Sequence, residues 1–210
     1  LPSILPPLTL DEAIETTRLH SIVGLLRPGQ ALVQHRPFRA PHHTASDAGL
    51  LGGNVQPTPG EISLAHNGVL FLDELPEFKR NVLEVLREPL ETGSISIARA
   101  SRQAEFAADF QLLAAMNPCP CGYLGDREGD CNCSAERVAA YRGKISGPLV
   151  DRIDLHVEVA RPPTESLRAS SPPGESSAAV AGRVQKARSA QLERAGVCNA
   201  RLAGRLLEAH

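Results

Sequence analysis

Tryptophan is absent from the 210 residues, and aromatic residues make up only 3% of the chain. A surface of aromatic rings that stacks nucleic-acid bases is therefore not expected. The formal net charge is -2, so no overall positive field favours nucleic acid, and any contact with DNA needs a local basic patch or an assembled ring. No apolar run of about 18 residues occurs, and we therefore expect no contact with a membrane.

Two further motifs are missing. The first seven residues have no basic segment or cleavage signal, and residue 1 is not methionine. We expect a cytoplasmic protein and interpret the chain as a fragment of a longer one, or one with a processed start.

A phosphate-binding loop, G-x-x-x-x-G-K-[ST], is also lacking: Gly143-Lys144 is followed by Ile145, and Val138 occupies the place of the first glycine. We expect this chain alone to bind ATP weakly or not at all and to be inactive as an enzyme.

Cysteine is scarce but clustered. The chain has five cysteines, and the cysteine loop, residues 119–133, contains two C-x-C pairs: Cys119 with Cys121, and Cys131 with Cys133. Four thiolates in close turns can hold a tetrahedral Zn²⁺ at about 2.3 Å. We therefore predict a structural zinc site, with reduced free thiols and disulfides as alternatives. His66, His42 or His43 is an alternative ligand, although a histidine beside a buried strand is more often a hydrogen-bonded structural residue.

The most informative segment is an apolar run that ends in two acids. Residues 69–72 predict a short strand buried on both faces, and Asp73 and Glu74 follow it directly. Open α/β sheets bind ligands at the carboxyl ends of their strands. The first acid of such a pair holds Mg²⁺, and the second polarises the water that attacks the γ-phosphate of ATP. The alternative is a strand that ends in a solvated turn.

Two more predicted strands are accompanied by polar residues of suitable chemistry. Asn117 follows the apolar run 110–116 and could orient the attacking water; its alternative role is to form a turn before proline. Arg152 precedes the alternating segment 153–159 and could neutralise charge that develops on the γ-phosphoryl group. A surface ion pair with a neighbouring aspartate is the alternative for Arg152.

Strands that alternate with helices predict an α/β fold with a parallel sheet. We predict helices at 11–24, 76–92, 134–142, 178–195 and 202–209, a short strand or turn at 61–64, and a hairpin at 94–106 with Arg99 and Arg102 near its tip. Segment 27–60 predicts irregular loops, where His42 and His43 could contact a neighbouring copy, a nucleotide or DNA. The predicted domains are a core at 1–161, a linker at 162–177 and a partial helical lid at 178–210.

Four segments resemble a known family. Residues 59–74, PGEISLAHNGVLFLDE, resemble the AAA+ clade that includes magnesium-chelatase I subunits and MCM helicases. Residues 36–46 (RPFRAPHHTAS), 114–122 (AAMNPCPCG) and 146–156 (SGPLVDRIDLH) narrow the resemblance to the magnesium-chelatase-like competence proteins of the ComM (YifB) family. In that family the phosphate-binding loop lies just upstream of a segment like residues 1–8.

The resemblance implies an AAA+ P-loop NTPase-type fold, with ATP and Mg²⁺ as cofactors. It implies an ATP-hydrolysing ring, typically a hexamer, that moves DNA branches during recombination in natural transformation. Asp73 and Glu74 would form the Walker B element and Asn117 would be sensor 1. Arg152 would act as an arginine finger on a neighbouring subunit, and the hairpin arginines, Arg99 and Arg102, would contact the DNA backbone.

Two other functions remain open at this point. One is an ATPase subunit of a chelatase that inserts Mg²⁺ or Co²⁺ into a tetrapyrrole. The other is a binding domain that has kept the fold without ATP chemistry.

Overall fold

The computed structural model describes residues 1–53, 57–99, 102–126, 129–162 and 174–202, with Arg99 and Arg102 described by their backbone alone. The strands within these ranges are β1 (Phe38–Arg39), β2 (Val69–Leu72), β3 (Ser94–Arg99), β4 (Arg102–Ala107) and β5 (Gln111–Ala114). The α-helices are α1 (Leu10–Ile22), α2 (Asp47–Leu51), α3 (Glu61–Leu64), α4 (Arg80–Val85), α5 (Arg87–Thr92), α6 (Ala135–Arg142), α7 (Gly147–Val150) and α8 (Ser177–Ala195). No helix in these ranges is long and apolar enough to cross a membrane.

A parallel sheet with the order β1-β2-β5 forms the centre of the fold. The central strand β2 pairs with β1 from Val69 and with β5 along its whole length, so that Leu72 lies opposite Ala114. Val69, Leu70 and Leu72 are buried, because elements pack on both faces of the strand, as its unbroken apolar run predicts. The α/β class with helices flanking a parallel sheet is confirmed.

The hydrophobic core joins the sheet to the short helices around it. Leu70 and Leu72 belong to one buried cluster with Leu83 of α4 and Leu149 of α7. Burying a side chain of this size stabilises a fold by about 1.5–3 kcal/mol relative to its exposure. The same cluster therefore fixes β2 and both helices in one packed unit.

Helix α1, predicted at 11–24, runs from Leu10 to Ile22 and begins with a capping box. Thr9 is the N-cap, its Oγ1 accepts a hydrogen bond from the Glu12 backbone, and the Glu12 carboxylate accepts one from the Thr9 backbone. This capping box satisfies two of the backbone donors that the first turn leaves without helical partners. Glu12 also binds Arg36 of the segment before β1 and Arg188 of α8, which ties α8 to the core.

The single helix predicted at 76–92 is wrong, because the segment is broken into three pieces. A 3-10 turn at Leu75–Glu77 is followed by α4 and α5, which separate at Leu86. Pro89 has no backbone N–H, so the Val85 carbonyl loses the hydrogen bond that would continue the helix. The break at Leu86 therefore lies three residues before Pro89.

Segment 61–64, predicted as a strand or turn, forms the short helix α3. The predicted hairpin is confirmed: β3 and β4 pair antiparallel from Ser94–Ala107 to Arg99–Arg102. Its tip, residues 100–101, lies outside the described residues. The predicted helices at 134–142 and 178–195 correspond to α6 and α8, which begin after the caps Ser134 and Ser176.

The strand predicted at 153–159 is wrong. The segment forms no strand, and Leu155, Val157 and Val159 are 81%, 79% and 87% exposed. An alternating apolar pattern becomes a strand only when a neighbour satisfies its backbone groups, and no described strand lies beside this segment. Residues 203–209 of the predicted helix at 202–209 and most of the predicted linker at 162–177 lie outside the described residues, so the domain division stays a prediction.

Candidate nucleotide site and cysteine cluster

The carboxyl ends of β2 and β5 bring three of the predicted site residues to one edge of the sheet. Asp73 and Glu74 follow β2, and Asn117 lies three residues beyond β5. The Ala115 backbone N–H donates to the Leu72 carbonyl, and the Leu75 N–H donates to the Ala115 carbonyl, each at 2.9 Å. These bonds hold the two turns side by side, and all three polar residues are exposed to solvent.

Glu74 has an unusual backbone conformation. Its φ of 53° and ψ of 48° place it in the left-handed region, which costs a residue with a Cβ roughly 1–2 kcal/mol. Asp73 Oδ1 accepts a hydrogen bond from the Glu74 backbone at 2.9 Å, and Leu75 and Pro76 are buried immediately after it. A non-glycine residue held in this region is typical of functional sites, where the surrounding structure maintains the strain.

His43 contacts Glu74 directly, which sequence reasoning missed. Its Nδ1 lies 3.1 Å from Glu74 Oε2, its ring centroid is 4.1 Å from that of His42, and its edge faces Phe78. His43 follows β1, and the carboxyl end of a strand parallel to β2 lies at the same sheet edge. A polar residue that follows a third parallel strand is expected at this site, so a signal was available. However, β1 has only two residues, which are too few to show the alternation of apolar residues that predicts a strand.

The described contacts of Arg152 are with other residues. Arg152 forms an ion pair with Glu91 of α5, and its Nη1 donates to the Pro148 carbonyl at 2.9 Å. Its buried Nε finds no partner among the described residues. Arg152 therefore links the turn after α7 to α5 and is not paired with Asp73 or Glu74; its catalytic role stays a prediction.

Arg99 and Arg102 are opposite each other as the last paired residues of the β3–β4 hairpin. The pairing places two basic residues at the end of the hairpin nearest its tip, as predicted. Their contact with DNA stays a prediction.

The cysteine loop brings its four thiols together. The Sγ–Sγ separations are 3.4 Å for Cys119–Cys121 and 3.7 Å for both Cys119–Cys131 and Cys121–Cys131. Together with Cys133, these Sγ atoms all lie within 4.8 Å of one another. None of the cysteines forms a disulfide, since a disulfide bond needs about 2.05 Å. The cluster could hold a metal ion.

The crowded thiols have divergent pKa values. Burial raises the pKa of Cys119, but hydrogen bonds from Cys121 and from the Leu124 backbone outweigh it and bring the pKa to about 6. A backbone hydrogen bond to Cys133 lowers the pKa of Cys131, but burial and the neighbouring thiols raise it to about 11. Thiolates this close repel one another, so only some of the four ionise unless a cation compensates their charge.

His66 is a structural residue and not a metal ligand. Its Nδ1 accepts a hydrogen bond from the Asp109 backbone at 3.1 Å, and its Nε2 donates to Glu15 at 3.2 Å. Burial lowers its pKa, although Glu15 acts in the opposite direction. Among the described residues, the cluster that could hold a metal contains only the four cysteines.

Residues 1–167 match the model of a protein family described as "Magnesium chelatase, subunit ChlI". The match covers most of the chain and includes β1, β2, β5 and the cysteine loop. The protein belongs to this magnesium chelatase family.

Individual relatives agree with the family. The chain is 49% identical over 209 residues to Competence protein ComM from Haemophilus influenzae and 47% identical over 209 residues to the uncharacterized protein YifB from Salmonella typhimurium. Each alignment covers 99% of this chain and 40% of the relative, so the chain spans about 40% of the length of these proteins.

More distant similarities are partial. DNA replication licensing factor mcm6 from Dictyostelium discoideum is 30% identical over 103 residues, which are 49% of this chain and 11% of that protein. A solved structure of NtrX from Brucella abortus in complex with ATP aligns with 57% of this chain and 25% of its own, at 16% identity and a TM-score of 0.39, too low a score to support an argument.

Proposed function

We propose that this chain is part of an ATP-hydrolysing motor that acts on DNA. The observation that carries the proposal is the convergence of Asp73, Glu74 and Asn117 at the carboxyl edge of a parallel sheet, with the backbone bonds of Ala115 holding their turns together. Membership of the magnesium chelatase family supports nucleotide chemistry at this edge.

The side chains divide the work of ATP hydrolysis. When Mg-ATP is bound, ATP supplies the phosphoryl group, and Mg²⁺ neutralises part of the negative charge on the phosphates. Asp73 would hold the Mg²⁺ through water, Glu74 would accept a proton from the attacking water, and Asn117 would orient that water. The new bond joins the water oxygen to the γ-phosphorus, and the bond from that phosphorus to the bridging oxygen of ADP breaks.

Arg152 would complete a neighbouring site. Its ion pair is with Glu91 of the same chain and not with Asp73 or Glu74, which is compatible with a role on the ATP of an adjacent copy in a ring. A guanidinium delivered between subunits raises turnover by about 10³–10⁵-fold. A hexamer is the ring size we propose.

DNA is the proposed substrate of the motor. Two relatives support it by their printed names, a competence protein and a DNA replication licensing factor. We propose that the ring migrates DNA branches in recombination, in the cytoplasm, with Arg99 and Arg102 contacting phosphates. Its cofactors would be ATP and Mg²⁺, and the cysteine cluster would hold a structural Zn²⁺.

The family description favours a second candidate, the ATPase subunit of a chelatase that inserts Mg²⁺ or Co²⁺ into a tetrapyrrole. The two functions share the ATPase site and differ in what stimulates it. Branched DNA should stimulate the motor, and a tetrapyrrole with its partner subunits should stimulate the chelatase. A non-catalytic binding domain would show no turnover with either.

The test uses the full-length protein and measures ATP hydrolysis with and without branched DNA. Glu74→Gln should abolish turnover and leave nucleotide binding intact. Glu77→Gln is the matched control, because it makes the same change three residues later in an exposed glutamate that binds Lys144, and it should retain activity. Turnover by Glu74→Gln at the wild-type rate would refute the assigned site.

A mixing experiment tests the ring. Arg152→Ala should reduce turnover by about 10³-fold. Mixed with Glu74→Gln subunits, it should recover part of the activity, because one interface in the mixed ring then combines an intact arginine with an intact glutamate. Full activity of Arg152→Ala alone would remove this residue from the mechanism.

A further inference from the structure

The four thiols of the cysteine loop have the spacing of a mononuclear metal site. Four sulfur ligands at about 2.3 Å from a tetrahedral Zn²⁺ lie about 3.8 Å from one another. The observed separations among Cys119, Cys121 and Cys131 are 3.4, 3.7 and 3.7 Å, and Cys133 lies within 4.8 Å of the others. The three separations among Cys119, Cys121 and Cys131 are thus close to those around one zinc ion, and Cys133 is near enough to be the fourth ligand.

The cysteine loop connects the turn of Asn117 to α6, and the end of α6 contacts that turn again. Cys119 is buried two residues after Asn117, and α6 begins directly after Cys133 with Ser134 as its cap. At the other end of α6, Arg142 Nε donates to the Pro118 carbonyl at 3.2 Å, and the buried Tyr141 hydroxyl lies close to the Asn117 backbone. The turn that carries Asn117 is therefore contacted by the last residues of α6 and joined through the cysteine loop to its start.

We infer that Cys119, Cys121, Cys131 and Cys133 bind one structural Zn²⁺, and that this ion fixes the turn that carries Asn117. Four thiolates in a tetrahedral arrangement select a borderline-soft divalent ion, zinc or iron. We assign zinc because the site has a structural role and needs no change of oxidation state. The second half of the inference rests on the proposed role of Asn117 in ATP hydrolysis. Asn117 contributes only if its amide is held to a fraction of an ångström relative to Glu74. The described residues between Asn117 and α6 include Gly122, Gly125 and Gly129 and form no helix or strand.

Metal content tests the first half on the full-length protein, independently of its activity. Protein purified without chelator should contain about one zinc per chain. Replacement by Co²⁺ should give the intense visible absorption of tetrahedral thiolate-bound cobalt, which reports the ligands directly. Cys131→Ser should lose the metal and this absorption, whereas Cys198→Ser, the same change at the cysteine outside the cluster, should keep both.

Protein without metal in which the four thiols titrate freely would overturn the zinc site, and so would one iron in place of zinc. Metal analysis gives this answer even if the protein hydrolyses no ATP, so failure of the zinc site and failure of the proposed function are distinguishable.

Turnover tests the second half. Removing zinc from the wild-type protein with a chelator should lower kcat for ATP by about tenfold or more, change KM by less than about threefold, and leave the far-UV circular dichroism of the core unchanged. Adding zinc back should restore kcat, which excludes general unfolding. An unchanged kcat in the metal-free protein would overturn the positioning role. The zinc would then stabilise the cysteine loop without affecting turnover.

Discussion

Gly68→Ala tests whether the close approach of β1 and β2 requires glycine. A Cβ added to Gly68 would lie 2.1 Å from the carbonyl oxygen of Pro37, which is about 1.3 Å inside an ordinary contact of 3.4 Å. The same oxygen accepts the Val69 backbone hydrogen bond at 2.8 Å. Because both partners are backbone atoms, no side chain can rotate away, and the strands must separate.

The cost has two contributions. Losing a backbone hydrogen bond in a buried position costs about 0.5–1.5 kcal/mol, and forcing an extra methyl into a packed site costs about 1–3 kcal/mol. We therefore expect Gly68→Ala to lower the free energy of unfolding by about 2–4 kcal/mol. At a urea dependence of about 2 kcal/mol per molar, the midpoint should fall by about 1–2 M.

The assay is urea unfolding followed by far-UV circular dichroism. Gly182→Ala is the control: it adds the same methyl group at an exposed position in α8 with nothing within 4 Å, and alanine should stabilise a helix interior by about 0.5–1 kcal/mol. The two variants should thus move the midpoint in opposite directions. A Gly68→Ala midpoint within 0.2 M of the wild type, on the order of experimental error, would refute the close approach of Gly68 and Pro37.

Three further outcomes are expected. Thr9→Ala should destabilise the fold by about 1 kcal/mol in the same assay, because it removes the N-cap of α1, and an unchanged midpoint would show that the capping box does not contribute. His43→Phe should preserve the ring contacts but remove the partner of Glu74, and should lower kcat of the full-length protein by about tenfold with unchanged ATP binding, since an unanchored general base is less effective; wild-type kcat would show that the contact is incidental. Burial lowers the pKa values of His20 and His66 below their ordinary 6.5, so the unfolded state binds more protons, and stability is retained above about pH 6.5 and lost as the pH falls below it. The urea midpoint should therefore decrease between pH 7.5 and 5.5, and replacing both histidines by glutamine should flatten this decrease.

Short-range patterns predicted the centre of this fold well. The apolar run before Asp73 is typical of a strand buried on both faces, and the period-two segments on either side of residues 100–101 are typical of a hairpin. The helices predicted at 11–24 and 134–142 begin within one residue of their observed starts, where the caps Thr9 and Ser134 satisfy backbone donors locally.

Features that depend on distant partners escaped prediction. Segment 153–159 has the alternation of a strand but no neighbouring strand in the described part of the chain, and periodicity alone cannot reveal that. The contact between His43 and Glu74 depends on the parallel pairing of β1 with β2. A strand of two residues is too short to be predicted from its sequence pattern. The position of Arg152 beside Glu91 likewise follows from how α5 and α7 pack, which their sequences do not encode separately.

The apolar side chains left in water after α7 have a practical consequence for handling the protein. Leu155, Val157 and Val159 are largely exposed, and β5 pairs with β2 on only one of its sides within the described sheet. Exposed apolar side chains together with an open sheet edge favour strand addition between molecules. Residues 1–210 prepared alone should therefore self-associate as their concentration rises, and charged replacements at 155, 157 and 159 should keep them monodisperse.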